Sequence, residues 1–203
     1  MIDIIHELYR KAIHFLLILI PIFYCFLGKW TTLLIIAPIT TLIFAVEHAR
    51  KNNPKINQIF LKVFKSVLRP HEYEPKKMTG VSSVMLAACI TFLVFKKEIA
   101  VIAFTILVFS DALSAIVGKS IPSRPFFEKS VAGSLAFFVS ALAVLFICGV
   151  GFGVRPTFYI FGIFSICCVT VIEARPSLTD LDDNFSIPLV FSLLMTSFDF
   201  MWG

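Results

Sequence analysis

The chain has 203 residues, of which 58% are hydrophobic and only 15% charged, with a mean hydropathy of +0.91. Soluble domains carry about 25% charged residues, so the composition excludes an ordinary soluble enzyme and points to an integral membrane protein. The net charge of +5 calls for no nucleic-acid partner, because the distribution of Lys and Arg across a bilayer accounts for it.

Apolar runs fall at 14–27, 31–47, 79–95, 99–118, 130–150, 156–172 and 185–202. A spanning helix needs about 20 apolar residues, which predicts about seven spans in a single integral-membrane domain over residues 1–203, the first completed by the residues just before it. The first run has a basic flank, but Phe23-Tyr24-Cys25 offers no small-residue cleavage site, so a retained span is expected rather than a cleaved signal. The one long connection runs from His48 to Met78. Within it Ile56, Ile59, Phe60, Val63, Phe64 and Val67 recur at helical spacing beside Lys55, Lys62 and Lys65, and Pro54 suits a helix start. This predicts an amphipathic helix on the membrane surface, lysines towards anionic headgroups. The expected fold class is therefore all-α and polytopic, with one interfacial helix. Cys25, Cys89, Cys148, Cys167 and Cys168 lie in apolar runs without metal-ligand spacing and read as small hydrophobes.

Of the eighteen Lys and Arg residues, Lys29, Lys96, Lys97 and Arg155 fall on one side of the predicted spans and the other fourteen on the side of the N-terminus. The positive-inside rule then puts the N-terminus in the cytosol and the C-terminus on the opposite side. Of the thirteen acids, all but Glu98 and Asp199 fall on the N-terminal side or in the adjoining helix halves. Acids contribute little to topology, so a single cytosolic site is the expected cause. A transporter would instead place paired ionisable groups near the midplane and show broken repeats, and neither pattern is visible.

Several constellations could carry chemistry. Glu7, Arg10, Lys11 and His14 stand at i, i+3, i+4 and i+7 and share one helix face, which serves either as an interfacial anchor or as part of a site. Asp111 lies inside an apolar run, where a carboxylate is a functional-site candidate by default. At about 1.5 Å per residue, it sits roughly 10 Å below the cytosolic end of its helix. It could pair with a cation for packing, bind Mg²⁺ beside nucleotide phosphates, or accept a proton from a substrate hydroxyl. Between Gly118-Lys119 and Gly133-Ser134 the chain supplies Lys129 and Ser130; a lysine can meet phosphate as a point charge, and the N–H groups of a helix start can receive an anion. No Walker A string occurs. Glu173 ends the sixth run, and Asp180-Leu181-Asp182-Asp183-Asn184 precedes the seventh, where Asp183 or Asn184 would cap a helix or the acids would form a divalent-metal platform. Arg69 and Glu72 add a charged pair ahead of Thr79-Gly80.

Taken together, these residues resemble the membrane family of CTP-dependent lipid kinases, which includes dolichol kinase, phytol kinase and the fungal-type diacylglycerol kinase. Glu7-x-x-Arg10-Lys11-x-x-His14 resembles the family's opening motif, and Arg69-x-x-Glu72 with Thr79-Gly80 its second. Asp111-Ala112-x-x-Ala115-x-x-x-Gly118-Lys119 with Lys129-Ser130-x-x-Gly133-Ser134 resembles the nucleotide-binding core, and Glu173 with Asp183-Asn184-x-x-x-Pro188 the closing signature. The chain departs from the family at Lys119-Ser120-Ile121-Pro122, where a second glycine is usual, and at Ala132, where an acid is. The same core also resembles CTP:phosphatidate cytidylyltransferases. The resemblance implies transfer of the CTP γ-phosphoryl to a lipid alcohol (polyprenol or dolichol, phytol, or diacylglycerol) with Mg²⁺ or another divalent cation. It implies Asp111 and Lys129 as catalytic groups and Asp111 with Asp183 at the metal. The nucleotide would meet Arg10, Lys11, Gly118, Lys119, Ser130, Gly133, Ser134 and Asn184, with Glu7, His14, Arg69, Glu72 and Glu173 supporting.

Overall fold

A computed structural model describes residues 10–65, 68–178 and 181–202. Glu7 and Asp180, two of the acids singled out above, lie outside the described residues. The chain runs as helices α1 (Arg10–Leu27), α2 (Lys29–Asn52), α3 (Pro54–Phe64) and α4 (Gly80–Val94). It continues with α5 (Lys97–Ser120), a minimal hairpin of β1 (Pro125–Phe126) and β2 (Lys129–Ser130), and helices α6 (Val131–Phe152), α7 (Pro156–Ala174) and α8 (Asp183–Trp202).

Six of these helices, all but α3 and α4, are long and apolar enough to cross a membrane. The remaining expected span, α4, has 15 residues and at 1.5 Å per residue reaches about 22 Å. Its start is fixed by Thr79, whose side chain takes the N–H of Ser82 as an N-cap. The chain ahead of it is committed to another structure, described below. Helix α3 begins where Pro54 predicts, capped by Asn53, and none of its residues is buried.

Helix α5 is the axis of the bundle. It packs against α1, α4, α6 and α8, and Ile99 to Phe104 are all buried. A π-helical turn, Ile106–Ser110, interrupts it one residue before Asp111; such turns occur mostly as single insertions, frequently at functional sites. Lipid tails give apolar helices no reason to associate, so small residues that allow close approach matter most. Gly118 of α5 faces Gly133 of α6: a Cβ on Gly133 would lie 3.0 Å from the Ser114 carbonyl oxygen and 3.3 Å from the Gly118 Cα. Gly149 and Gly162 make similar approaches to Tyr159 and Leu145 between α6 and α7.

The four cations set apart in the sequence gather at one end of the bundle. There Lys29 donates to the Leu93 carbonyl, Lys97 to the Cys25 carbonyl, and Lys96 pairs with Asp199. The opposite end collects the starts of α1, α4, α6 and α8 and the ends of α2, α5 and α7, and with them the charged residues of interest.

Overfilling the α5–α6 contact costs about 1–3 kcal/mol. Gly133→Ala is therefore expected to lower the thermal midpoint of the purified protein by several degrees. Gly151→Ala, with nothing within 4 Å of the new methyl, is expected to leave it unchanged or raise it. Equal midpoints would contradict the close packing.

Candidate active site at one end of the bundle

Asp111 is buried on α5, and α1 brings its partners. Lys11 Nζ donates to Asp111 Oδ2, both side chains being almost fully enclosed. His14 Nε2 lies 3.9 Å from the same oxygen. The spacing that puts residues 11 and 14 on one face of α1 thus delivers both to a single carboxylate. Arg10 is half-buried beside them.

One turn further along α5, Ser114 Oγ donates to Glu173 Oε1 of α7 at 2.7 Å. Lys129 reaches the same oxygen at 2.5 Å and Asp183 Oδ2 of α8 at 3.2 Å. The hairpin positions Lys129. Pro125 pairs with Ser130 and Phe126 with Lys129, Phe127 adopts φ 54° at the turn, and the Glu128 N–H donates to the Ala174 carbonyl at 3.0 Å. Burial alone would lower the Lys129 pKa, but Asp183, Glu173 and Asp111 outweigh it and push it up to about 12. The two ionic sets meet on α5, where Asp111 and Ser114 lie one turn apart.

The start of α8 departs from expectation. Asp182, not Asp183 or Asn184, caps the helix: its Oδ1 accepts the Asn184 N–H at 2.9 Å. An acid cannot both cap and point inward, and Lys129 claims the Asp183 carboxylate. Asp182 also meets Arg69 Nη1 at 3.4 Å. Burial acts to lower the Arg69 pKa, yet the net shift is upward because Asp182, Asp111, Asp183 and Glu72 surround it. Pro188 lacks an N–H, so it withholds from the Asn184 carbonyl the donor that a helix would place four residues on.

The glycines and hydroxyls read as a phosphate loop fall where α5 meets the start of α6. Ser130 is the N-cap of α6 and takes the Gly133 N–H at 3.2 Å, while Gly118 and Gly133 pack the two helices together. Ser134 is buried with an unpartnered Oγ, and Lys119 is exposed at the end of α5. Glu72 Oε1 accepts the Gly80 N–H at 2.7 Å, and a Cβ on Gly80 would lie 3.1 Å from Asn184 Nδ2. The second charged pair therefore lies against the same site.

Sequence reasoning missed Ser114, and it placed Asp182 among the acids of a metal platform rather than as the cap of α8. Ser114 carried a signal, because it lies three residues after Asp111 on the same helix face. Among the described residues no group of three or more His, Cys, Asp or Glu is arranged to hold a metal by itself. In this site two buried carboxylate oxygens, Glu173 Oε2 and Asp183 Oδ1, nonetheless have no partner; a third, Glu47 Oε2, lies apart on α2. Hard oxygen donors few in number suit Mg²⁺, which commonly takes one or two carboxylates and completes its shell with phosphate and water.

The architecture is that of a polytopic helical membrane protein with a buried ionic site at one end of its bundle. Over 200 residues, 98% of each chain, it is 32% identical to an uncharacterized protein of Rickettsia prowazekii (strain Madrid E), and the chain belongs to the same family. It is also 23% identical over 213 residues to the CTP-dependent diacylglycerol kinase 1 of Saccharomyces cerevisiae, covering 94% of this chain and 67% of that one. A third relative, an uncharacterized protein of Methanocaldococcus jannaschii, is 30% identical over 106 residues, 51% of each chain. No family model and no solved structure matches the chain.

Removing one member of a buried ionic set costs about 3–5 kcal/mol. Lys129→Met is expected to lower the thermal midpoint markedly, and the Lys129→Met/Glu173→Gln/Asp183→Asn variant to recover most of the loss. The folded pKa of Lys129 lies above its unfolded value, so its contribution is fully present below about pH 10.5 and lost as pH rises through about 12. A Lys129→Met protein as stable as wild type would contradict the pairing.

Proposed function

We propose that this protein is a CTP-dependent lipid kinase that transfers the γ-phosphoryl group to the hydroxyl of a membrane lipid alcohol, diacylglycerol or an isoprenoid alcohol, at the cytosolic face. The observation that carries the reading is a buried, lysine-paired aspartate in an apolar span, joined to a second ionic set with unspent carboxylate oxygens. The distant similarity to a CTP-dependent diacylglycerol kinase supports the choice of reaction.

Phosphoryl transfer asks mainly for positioning and charge stabilisation. Lys11 and Lys129 are ammonium groups held in place by carboxylates, and each can turn to a phosphate oxygen without leaving its acid. Arg10, Arg69 and Lys119 add positive charge around them. Asp111 lies deep enough to meet the hydroxyl of a lipid whose tail stays among the helices, and it takes the proton as the alcohol oxygen bonds to the γ-phosphorus. The bond from that phosphorus to the β-bridging oxygen breaks, and CDP leaves. Glu173 and Asp183 are the residues that would hold a divalent cation, with Asp111 behind them; bound there, Mg²⁺ would neutralise phosphate charge.

The test uses purified protein, Mg²⁺, CTP labelled at either the α or the γ phosphorus, and a panel of diacylglycerol, polyprenol, phytol and phosphatidate. Label entering an alcohol from the γ position is the expected result, and the acceptor names the substrate. Label entering phosphatidate from the α position would replace this reading with cytidylyl transfer. Asp111→Asn is expected to reduce turnover to background in a protein that still folds, with a lowered thermal midpoint because buried Lys11 loses its partner, and near-normal activity in that variant would defeat the assignment.

A further inference from the structure

Two charged side chains of α2 are as buried as the apolar core, and no step above uses them. Glu47 is 3% exposed and Arg50 1%. Three residues apart, they lie on one face of the helix. Glu47 Oε1 accepts the Thr79 N–H at 3.0 Å, the Thr79 hydroxyl at 2.7 Å and the Ser82 hydroxyl at 2.8 Å. Arg50 Nη2 donates to the carbonyls of Glu72, Glu74 and Lys77 at 2.8, 3.1 and 3.3 Å. Between these anchors Glu72 closes the segment on itself, its Oε2 taking the Arg69 N–H and its Oε1 the Gly80 N–H, both at 2.7 Å. Residues 69–80 are thus a closed strap whose backbone is tied to α2 by one buried anion and one buried cation. The ring of Phe60, on the interfacial helix, covers the clamp with its centroid 4.5 Å from Arg50 Cζ.

Burying an ion costs several kcal/mol unless hydrogen bonds replace its hydration. Here the bonds of Glu47 Oε1 and Arg50 Nη2 go to the strap and to Ser82 just beyond it, while Glu47 Oε2, Arg50 Nε and Arg50 Nη1 have no hydrogen-bond partner, so the strap is what the two charges hold. Both ends of the strap touch the ionic site. Arg69 pairs with Asp182, the cap of α8, and Gly80 packs against Asn184. From these contacts we infer that Glu47 and Arg50 are positioning residues: they clamp the 69–80 strap and thereby hold Arg69 and Asn184 at the rim of the site, setting nucleotide affinity without touching the nucleotide. The affinity part rests on the kinase reading; the clamp itself does not.

The experiment compares wild type, Glu47→Ala, Glu47→Gln, Arg50→Lys, Arg69→Ala and the Glu47→Ala/Arg69→Ala pair in lipid nanodiscs. Backbone hydrogen exchange is followed along the chain, and KM for CTP and kcat are measured. Glu47→Ala is expected to raise exchange in 69–80 by about tenfold or more while α5 and α6 keep their protection. It is expected to raise KM for CTP by about tenfold with kcat nearly unchanged. Glu47→Gln, whose amide oxygen can accept the same bonds, restores both. Arg50→Lys, which reaches fewer carbonyls, falls between and keeps the test alive if Glu47→Ala does not fold. Adding Arg69→Ala to Glu47→Ala raises KM by less than Arg69→Ala does in wild type, because part of the clamp's effect runs through Arg69. Multiplying effects in the pair, unchanged exchange in the strap, or loosening spread evenly over the bundle would each overturn the inference. If wild type turns over no CTP, the kinase reading fails, and local exchange in 69–80, raised by Glu47→Ala and restored by Glu47→Gln, still decides the clamp.

Discussion

A carboxylate within an apolar span has no water to solvate it, and at Asp111 the protein answers with a lysine from another helix. The cost of an unpaired charge at the centre of a spanning helix is about 3 kcal/mol on insertion scales, so α1 and α5 are tied to each other by chemistry as well as packing. Lys11 must sit within reach of Asp111, which fixes the depth of α1, and His14 follows one turn further in. The π-helical turn before Asp111 adds a residue to the helix where this pairing is made. Helix α5, packed against four neighbours, carries this charge with Asp111 only 5% exposed.

The same constraint explains the other half of the site. Glu173 and Asp183 approach from α7 and α8, and two buried acids at close range demand a cation between them. Lys129 supplies it, carried in by a hairpin too short to stand alone and pinned to the end of α7. Once Asp183 is given to Lys129, the cap of α8 falls to Asp182, and Asp182 in turn receives Arg69 from the strap. The charges are linked in sequence from α1 across the bundle to the segment before α4.

The spans were legible because a bilayer makes apolar length unavoidable, and the charged residues were legible because the same bilayer makes them conspicuous. Arg10, Lys11 and His14 could be placed on one face by counting alone, and Pro54 marked the start of the interfacial helix. What counting could not supply was partnership. Glu47 and Arg50 look like ordinary charges at the end of a span, and only the fold shows them turned inward onto the strap. Thr79 reads as the first residue of the apolar run 79–95, yet it caps α4 and leaves that helix at 15 residues. Gly118 and Gly133 have the composition of a phosphate loop, but their separation along the chain hid that they face each other across α5 and α6. The choice of Asp182 over its neighbour as a cap depends on Lys129, more than fifty residues away, and no local rule contains it.

In the proposed reaction this ionic site receives a nucleoside triphosphate through its phosphates. Equilibrium binding of CTP, CDP and CMP to the purified protein in nanodiscs, with and without Lys11→Ala, tests it most directly. Affinity is expected to fall with each phosphate removed, and Lys11→Ala to abolish the difference between CTP and CMP. Binding that is the same for all three nucleotides, or that is untouched by loss of Lys11, would contradict it.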